Sequence, residues 1–238
     1  KEVPVTRLKF NYRQANGSIV AKMANEIADG QIPQLESSGD FAVRKVFDNE
    51  IAEQKIINLV KTLQEKDMDM MDLQILSPMR KGDTGVNNLN EKIRDIVNPA
   101  SKKKKEIRGL RQGDKVMVVR NDYDKMVFNG NIGKVVKVES DKLFVDIIDN
   151  DSDETVEFGI TELDLLQLAY ATTIHKSQGS EFRIVIMVLT KNHYVMLKRN
   201  LLYTGMTRAK DKLVLVADPW AVKKAIRNNK VETRYSKL

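Results

Sequence analysis

The sequence predicts an α/β fold in which a parallel sheet is interrupted by a small antiparallel β-barrel. Apolar strands alternate with helical segments over residues 8–97 and again over residues 168–228, which is the pattern of βαβ units in a parallel sheet. Between these regions lie short β-type segments separated by turn residues, at the spacing of a small barrel. We therefore expect a discontinuous α/β domain, residues 1–106 and 165–238, with an inserted barrel, residues 107–164.

The first α/β region contains three predicted strands, each followed by a helix. Apolar residues alternate in the strands and recur at helical spacing in the helices. The strands are predicted at residues 8–12, 41–47 and 73–78, and the helices at residues 18–27, 51–63 and 86–97. Gly30 ends the first helix, and Asn98-Pro99 closes the third because proline disfavours a helical residue before it.

The barrel and the second α/β region are predicted by the same criteria. Barrel strands are predicted at residues 114–120, 132–139, 143–148 and 154–158. The second α/β region has predicted strands at residues 168–174, 183–189 and 212–217, and helices at residues 194–210 and 220–228. The segment Asn129-Gly130-Asn131-Ile132-Gly133 sits between short strands, so we interpret it as a hairpin turn with turn glycines and not as a phosphate loop.

Two tyrosines could suggest stacking on nucleobases. Tyr194 and Tyr203 lie at helical spacing from Leu197 and Leu201. We therefore predict that both tyrosines belong to the core.

The composition excludes several classes of site. The 238 residues include no Cys and two His, so neither a disulfide framework nor a Cys- or His-based zinc site can form from this chain alone. No run approaches the ~18 apolar residues that span a bilayer, and Lys1-Glu2-Val3-Pro4 does not begin a signal-peptide-like segment. We expect a soluble, cytoplasmic protein. Because the sequence does not begin with Met, we also expect it to be part of a longer protein.

The charge is unevenly distributed. The net charge is +7, but residues 139–164 contain ten acids and one Lys, which is −9 and leaves +16 for the remainder. The run Lys102-Lys103-Lys104-Lys105 is either a solvated loop or a phosphate-contacting loop, and the sequence leaves both interpretations open. A basic remainder is compatible with nucleic-acid binding, although charge by itself is weak support for it.

Four segments combine charged and hydroxyl side chains next to predicted strands. The loops after the strands of an open α/β sheet are where ligands bind. The segments are Asn11-Tyr12-Arg13-Gln14, Ser77-Pro78-Met79-Arg80-Lys81-Gly82, Thr172-Thr173-Ile174-His175-Lys176-Ser177-Gln178-Gly179-Ser180-Glu181-Phe182 and Tyr203-Thr204-Gly205-Met206-Thr207-Arg208-Ala209-Lys210.

In this order the four segments resemble helicase motifs IV, IVa, V and VI of superfamily 1, and most closely those of the RecD-like helicases of exodeoxyribonuclease V alpha-chain type. Gly113-Asp114-Lys115-Val116-Met117, together with the hairpin segment at residues 129–133, is similar to the barrel of Src-homology type inserted in the second RecA-like domain of that family. The resemblance covers nearly the whole chain. It implies a RecA-like parallel sheet and an ATP-dependent DNA helicase that moves 5′ to 3′ on single-stranded DNA.

The resemblance implies a set of nucleotide contacts. Arg13 and Arg208 correspond to the motif IV and motif VI arginines, which reach the γ-phosphate of ATP across the cleft between two RecA-like domains. A guanidinium suits this role because its planar, permanently charged fork stabilises charge on the transferring phosphoryl group. The alternative for each is an ion-paired surface arginine. Gln14, Gly179 and Glu181 are also expected near the nucleotide.

The resemblance also implies contacts with the DNA backbone. Neutral donors and cations of this kind grip phosphates without reading sequence. The expected contacts are Pro78, Arg80, Thr173, His175, Lys176 and Ser177. The alternatives are a core histidine for His175 and a solvated loop for Arg80, and Lys176 could serve either ligand.

The barrel is expected to bind single strands in a salt-sensitive, sequence-independent way. Lys115, Arg120 and Lys125 lie on its more basic side in sequence, whereas residues 139–164 make one face acidic. We interpret that acidic run as turns and barrel strands and not as a nuclease metal site.

The sequence lacks two parts that this kind of ATP hydrolysis requires. None of its 12 glycines belongs to a Gly-x-x-x-x-Gly-Lys-Ser/Thr loop, and Asp153-Glu154 does not follow an apolar strand as a Mg²⁺-binding acid should. We therefore expect the first RecA-like domain, elsewhere in the full-length chain, to supply the P-loop and the Mg²⁺ ligands. The present chain is expected to be inactive alone.

Two other interpretations stay open. The chain could be a non-catalytic nucleic-acid-binding or adaptor module derived from a helicase domain, or part of a related superfamily 1 motor such as a relaxase-linked helicase. Subunits of a nuclease complex are a further partner that the sequence neither supports nor excludes.

Overall fold

The computed structural model describes residues 17–149 and 152–229. The helices are α1 Ile19–Ala28, α2 Asn49–Gln64, α3 Val86–Val97, α4 Arg199–Met206 and α5 Pro219–Arg227. The strands are β1 Phe41–Lys45, β2 Leu73–Ser77, β3 Glu106–Ile107, β4 Leu110–Arg111, β5 Lys115–Val118, β6 Ile132–Val138, β7 Lys142–Asp149, β8 Ser152–Gly159, β9 Leu166–Leu168, β10 Ala171–Thr173, β11 Phe182–Leu189 and β12 Ala209–Ala217. The predicted strand at residues 8–12 lies outside the described residues.

One five-stranded sheet is parallel throughout, with the strand order β1-β12-β11-β2-β10. Val20 of α1, Leu201 of α4 and Val222 of α5 pack on one face, while Ile56 of α2 and Ile93 of α3 pack on the other. Because both faces are covered, the central strands are nearly continuous apolar runs. The predicted α/β architecture is confirmed.

The other five-stranded sheet is antiparallel, with the strand order β8-β7-β6-β5-β9 and an apolar core of its own. Gly130, at φ +103°, occupies the turn before β6, as predicted. The prediction is wrong for Gly133, which lies within β6, where an added Cβ would be 2.4 Å from Val145 Cγ1. Gly133 is therefore needed for the close approach of β6 and β7.

The predicted strand at residues 168–174 is divided between the two sheets. β9 pairs with β5 of the barrel, and β10 pairs with β2 of the parallel sheet. The chain passes from the barrel sheet to the parallel sheet at buried Ala169 and Tyr170. The Ala169 N–H donates to the Lys115 carbonyl of β5 (2.9 Å), and the Tyr170 carbonyl accepts from the Ile75 N–H of β2 (3.1 Å). The barrel sheet thus continues through β9, past the expected boundary at residue 164.

The predicted helix at residues 194–210 is shorter than expected. A 3₁₀ helix, Lys191–Met196, precedes α4. The last two residues of the predicted helix, 209 and 210, instead belong to strand β12, because Ala209 pairs with β11. The side chain of Tyr194 is 64% exposed, and the prediction that it lies in the core is wrong. Tyr203 is partly buried and packs against the core.

The lysine run at residues 102–105 is largely exposed. Lys104 donates to the side-chain oxygen of Asn98, whereas the side chains of Lys102, Lys103 and Lys105 are exposed.

Within the described residues, no helix combines the length and apolar character that crossing a membrane requires. The same residues contain no group of three acidic or histidine side chains that could hold a metal ion.

Candidate functional site

One loop, residues 174–181, joins the two ends of the parallel sheet. It leaves the carboxyl end of β10 and enters the amino end of β11, and since these strands are parallel it must cross from one edge to the other. The loop is held internally: Ser177 is fully buried and its hydroxyl donates to the Ile174 carbonyl (2.8 Å), while the Ser180 N–H donates to the Ser177 carbonyl (3.2 Å). Ser177 therefore shapes the loop.

Two cations lie at the carboxyl end of the sheet. Arg80, exposed in the loop after β2, lies near Lys176, whose pKa is lowered by burial and by the charge of Arg80. Among residues 17–149 and 152–229 neither side chain has a carboxylate within 4.0 Å. The Thr173 hydroxyl accepts from the backbone N–H of Lys176 (3.3 Å), so Thr173 lies beside Lys176. Positive charge without a counter-charge is the electrostatic signature of an anion site.

A cleft of about 380 Å³ opens beside these cations. Arg80, Thr173 and Lys176 line it from the parallel-sheet domain, and Met117 and Gln167 line it from the barrel. The cleft therefore brings the predicted DNA contacts against the barrel strands β5 and β9.

The loop that carries Arg80 has a fixed backbone. Buried Pro78 begins it, and the Ser77 hydroxyl donates to the Thr84 carbonyl (2.7 Å) across its base. Gly85 closes it, since an added Cβ would lie 2.4 Å from the Lys81 carbonyl oxygen. These contacts hold the backbone at Arg80 in place relative to the sheet.

His193 supports the same loop and was not identified from the sequence. It is buried in the 3₁₀ helix after β11, and its Nδ1 accepts from the Thr190 N–H (3.1 Å). Nε2 must then carry the proton, and it donates to the Thr84 hydroxyl (3.1 Å). Burial lowers the pKa of His193 to about 4, so the ring is neutral at physiological pH.

Acid is expected to destabilise this arrangement. The pKa of His193 is about 4 in the folded chain against 6.5 for an ordinary histidine, so between these values the unfolded chain binds a proton that the folded chain does not. The free energy of unfolding should therefore fall by roughly 3 kcal/mol as the pH drops from 6.5 to 4. Urea unfolding across this pH range measures the change.

The two histidines of the chain form a matched pair for this test. His193→Gln should remove this contribution, since a glutamine accepts and donates but does not titrate, whereas the same change at exposed His175 should leave it in place. A pH dependence identical in wild type and His193→Gln would contradict the assignment.

Arg208 lies at the opposite, amino end of the sheet. It is 5% exposed, and its Nη1 donates to the Ser180 carbonyl (2.8 Å) and its Nε to the Thr204 carbonyl (3.1 Å). The Arg208 carbonyl accepts from the Phe182 N–H (2.9 Å). Arg208 is thus tied to the loop at residues 174–181 and is not a surface arginine.

Gly179 and Glu181 lie on the same side as Arg208. Both are exposed and line a groove of about 740 Å³ whose other wall is the barrel turn with Gly130. Lys176 borders this groove and also the cleft at the carboxyl end. The structure therefore divides the predicted site residues between two ends of one sheet.

The other predicted contacts are Arg13, Gln14 and His175. Arg13 and Gln14 lie outside the described residues. His175 is exposed, which removes its interpretation as a core histidine.

Comparisons with known proteins relate the two parts of the chain to helicase domains. The family model described as the ATP-dependent RecD-like DNA helicase SH3 domain matches residues 89–155, and the UvrD-like helicase C-terminal domain matches residues 168–216. The chain is 35% identical over 211 residues to the ATP-dependent RecD2 DNA helicase of Deinococcus radiodurans, covering 88% of this chain and 28% of that protein. It is 28% identical over 231 residues to the RecBCD enzyme subunit RecD of Haemophilus influenzae, covering 92% of this chain and 32% of that protein.

Among solved structures, a Pif1 helicase from Bacteroides in complex with ADP-AlF3 and ssDNA has a TM-score of 0.54 at 19% identity, covering 93% of this chain and 52% of that one. This likeness shows a shared fold. The chain spans less than a third of the length of the two helicase relatives above. From its motifs, its two sheets and these matches, the chain belongs to the RecD-like superfamily 1 DNA helicases, of which it carries the helicase C-terminal domain and the SH3-like domain.

Proposed function

We propose that this chain is the second motor domain, with its inserted barrel, of a longer ATP-dependent helicase that moves 5′ to 3′ along single-stranded DNA. The observation that carries the proposal is the loop at residues 174–181, which joins a cationic carboxyl end of the sheet to an arginine-bearing amino end. A translocating motor needs an element that both ligands can bias. The division into a motor domain, predicted as residues 1–106 with 165–238, and a barrel, predicted as residues 107–164, is part of this proposal, with β9 assigned to the barrel because it pairs with β5.

The carboxyl end is the proposed DNA grip. Arg80 and Lys176 lie close together without a carboxylate partner in the described part of the chain, so their repulsion is relieved when a backbone phosphate lies between them. Thr173 and His175, close to Lys176 in the chain, offer further hydrogen-bond donors to phosphate. Pro78 and Ser177 shape the two loops that present these groups.

Arg80→Ala and Lys176→Ala are each expected to weaken the binding of the full-length protein to single-stranded DNA. Each change removes one phosphate contact, so the slope of log K against log salt concentration should become shallower by about 0.7. Fluorescence anisotropy with labelled oligo(dT) across a salt series measures both quantities. Lys61→Ala, which removes an exposed lysine of α2, is the matched control. Wild-type slopes in both variants would mean that neither side chain contacts phosphate.

The amino end is the proposed nucleotide wall. Arg208 is the proposed arginine finger, and its planar donors fit a transferring phosphoryl group. Gly179, at φ +94°, has no atom within 4 Å of where a Cβ would lie, so backbone and ligand can approach closely there. Glu181 completes this wall, and Arg13 and Gln14 join it on motif evidence alone.

Hydrolysis of ATP between two motor domains supplies the cycle of closing and opening. The P-loop and the Mg²⁺ ligands are proposed to lie on the first RecA-like domain of the full-length chain. In this proposal the residues of this chain act from the opposite wall: Arg208 contributes a phosphate contact, and the loop at residues 174–181, whose Ser180 carbonyl accepts from Arg208, links it to Lys176 at the DNA grip.

Strand displacement tests the proposal. With ATP and Mg²⁺, the full-length protein is expected to unwind a duplex that has a 5′ single-stranded tail and not one that has a 3′ tail. This chain alone is expected to hydrolyse no ATP. Hydrolysis by the chain alone would contradict the two-domain site, whereas unwinding from the 3′ tail would contradict only the polarity.

A non-catalytic DNA-binding or adaptor module is the second candidate, favoured by the lack of a P-loop in this sequence. It predicts that no P-loop occurs elsewhere in the full-length protein and that DNA binding is indifferent to ATP. The coding sequence of the full-length protein separates the two candidates.

A further inference from the structure

Lys115 of the barrel is buried against the parallel-sheet domain. Its side chain is 1% exposed, which is unusual for a lysine, and it does not face outward with the other basic residues of the barrel. The Nζ donates to the carbonyls of Leu73 (2.8 Å), Met71 (3.1 Å) and Met70 (3.4 Å). Lys115 therefore uses its three donors on the backbone that leads into β2.

The same ammonium group reaches the first residue of β11. It lies 5.9 Å from the ring centroid of Phe182, within the range of a cation–π contact. Phe182 is 7% exposed, and its N–H donates to the Arg208 carbonyl (2.9 Å). Two contacts thus separate a barrel side chain from the proposed arginine finger.

The segment that accepts hydrogen bonds from Lys115, residues 70–73, is also held by an ion pair on the surface. Arg183 of β11 pairs with Asp72 (2.8 Å) and with Asp211 of β12 (2.9 Å) across the amino end of the sheet. Arg183 therefore connects the amino ends of β2, β11 and β12 on the surface, and Lys115 connects those of β2 and β11 beneath it.

We propose that Lys115 is a positioning residue that ties the barrel to the nucleotide end of the motor, by fixing Phe182 and through it the backbone of Arg208. The inference rests on the proposed function, since it concerns the placement of the arginine finger. A displacement of about 1 Å in a catalytic group can cost up to about 100-fold in rate, so a buried contact two steps away is enough to matter.

A buried ammonium is a costly way merely to hold two domains together, because an apolar side chain of similar volume would fill the space without dehydrating a charge. Burial lowers the pKa of Lys115 to about 7, and the nearby carboxylates oppose that shift. The contact should therefore weaken as the pH rises above 7. The titratable and charged groups around it are Asp69, Asp72 and Arg183 of the parallel-sheet domain, Tyr170 and Asp114 of the junction, and Lys134 of β6.

The test is Lys115→Met in the full-length helicase. We expect the kcat of DNA-stimulated ATP hydrolysis to fall by about tenfold or more, with the affinity for oligo(dT) close to wild type. The melting temperature should also fall, because methionine leaves the carbonyls of Met70, Met71 and Leu73 without the ammonium donor. We also expect the wild-type kcat to decline between pH 7 and about pH 9 relative to the variant, because only the wild type loses the ammonium group in this range. A merely structural contact would not produce that difference in pH profile.

Lys134→Met is the matched control, because Lys134 lies directly opposite Lys115 in the β5–β6 register and is exposed. It should behave as wild type. If Lys115→Met does not fold, Phe182→Leu removes the ring while keeping an apolar side chain, and the same fall in kcat is expected. Wild-type kcat in a folded Lys115→Met, or in Phe182→Leu, would overturn the inference.

Arg208→Ala, measured in parallel, separates this inference from the proposed function. Normal hydrolysis by Arg208→Ala would refute the arginine finger itself. Loss of hydrolysis in Arg208→Ala with wild-type kcat and pH profile in Lys115→Met would refute only the role of Lys115.

Discussion

If the proposed function holds, Arg208→Ala in the full-length protein is expected to reduce DNA-stimulated ATP hydrolysis by about a thousandfold or more, the range in which an arginine finger acts. The backbone carbonyls of Ser180 and Thr204 hold the guanidinium at the amino end of the sheet, so it is positioned before any nucleotide binds. Affinity for oligo(dT) should stay close to wild type, because the proposed DNA grip lies at the other end. Steady-state ATPase assays with saturating oligo(dT), together with anisotropy, measure both.

Arg208→Lys sharpens this prediction. Lysine keeps the positive charge but lacks the planar fork, so activity should remain far below wild type if the fork carries the effect. Arg227→Ala, at the exposed end of α5, is the control for loss of an arginine from the same domain. Because Arg208 is buried, thermal unfolding must show that each variant is folded. Wild-type kcat in a folded Arg208→Ala would refute the finger.

Elements with a local and complete pattern could be predicted from the sequence. The bounds of α3 match the prediction because its apolar residues recur at helical spacing and Pro99 follows its end. The division of residues 168–174 could not be predicted, since a short apolar run suits a barrel strand as well as a parallel one. Which sheet each half joins is decided by distant pairing with β5 and β2.

The candidate site shows the same division between local and distant information. The ordered motifs located the loop at residues 174–181, but the burial of Ser177 depends on tertiary packing that no spacing reveals. His193 escaped detection because its partner Thr84 is 109 residues away. The sequence places Lys115 on the more basic side of the barrel but does not indicate its direction, and only the structure shows that its side chain points into the other domain.

The junction between the two sheets depends on a second buried charge, Asp114, which is fully buried. Its Oδ2 accepts from the Arg111 N–H (2.9 Å), and its Oδ1 accepts from the Asn98 side-chain amide (2.7 Å) and the Tyr170 hydroxyl (3.3 Å). Burial raises the pKa of Asp114, which reflects the cost of dehydrating the carboxylate. The three donors offset that cost.

Asp114→Ala is expected to lower the free energy of unfolding of the chain by roughly 3 kcal/mol, since buried donors left without an acceptor cost about 1–3 kcal/mol each. In this variant the Asn98 amide still donates to the Gln112 carbonyl (3.1 Å). Much of the lost stability should therefore come from the Arg111 N–H, which would have no acceptor. Urea unfolding followed by circular dichroism measures it.

Two further variants decide whether charge or acceptor geometry dominates at Asp114. Asp114→Asn removes the buried charge but keeps one acceptor oxygen, so its loss should lie between wild type and Asp114→Ala if the orphaned donors outweigh the desolvation cost. Asp164→Ala, which removes an exposed aspartate paired with Arg120, should change stability by no more than about 0.5 kcal/mol. If Asp114→Asn were instead more stable than wild type, the cost of burying the carboxylate would exceed what its donors return, and the junction would owe its stability to packing.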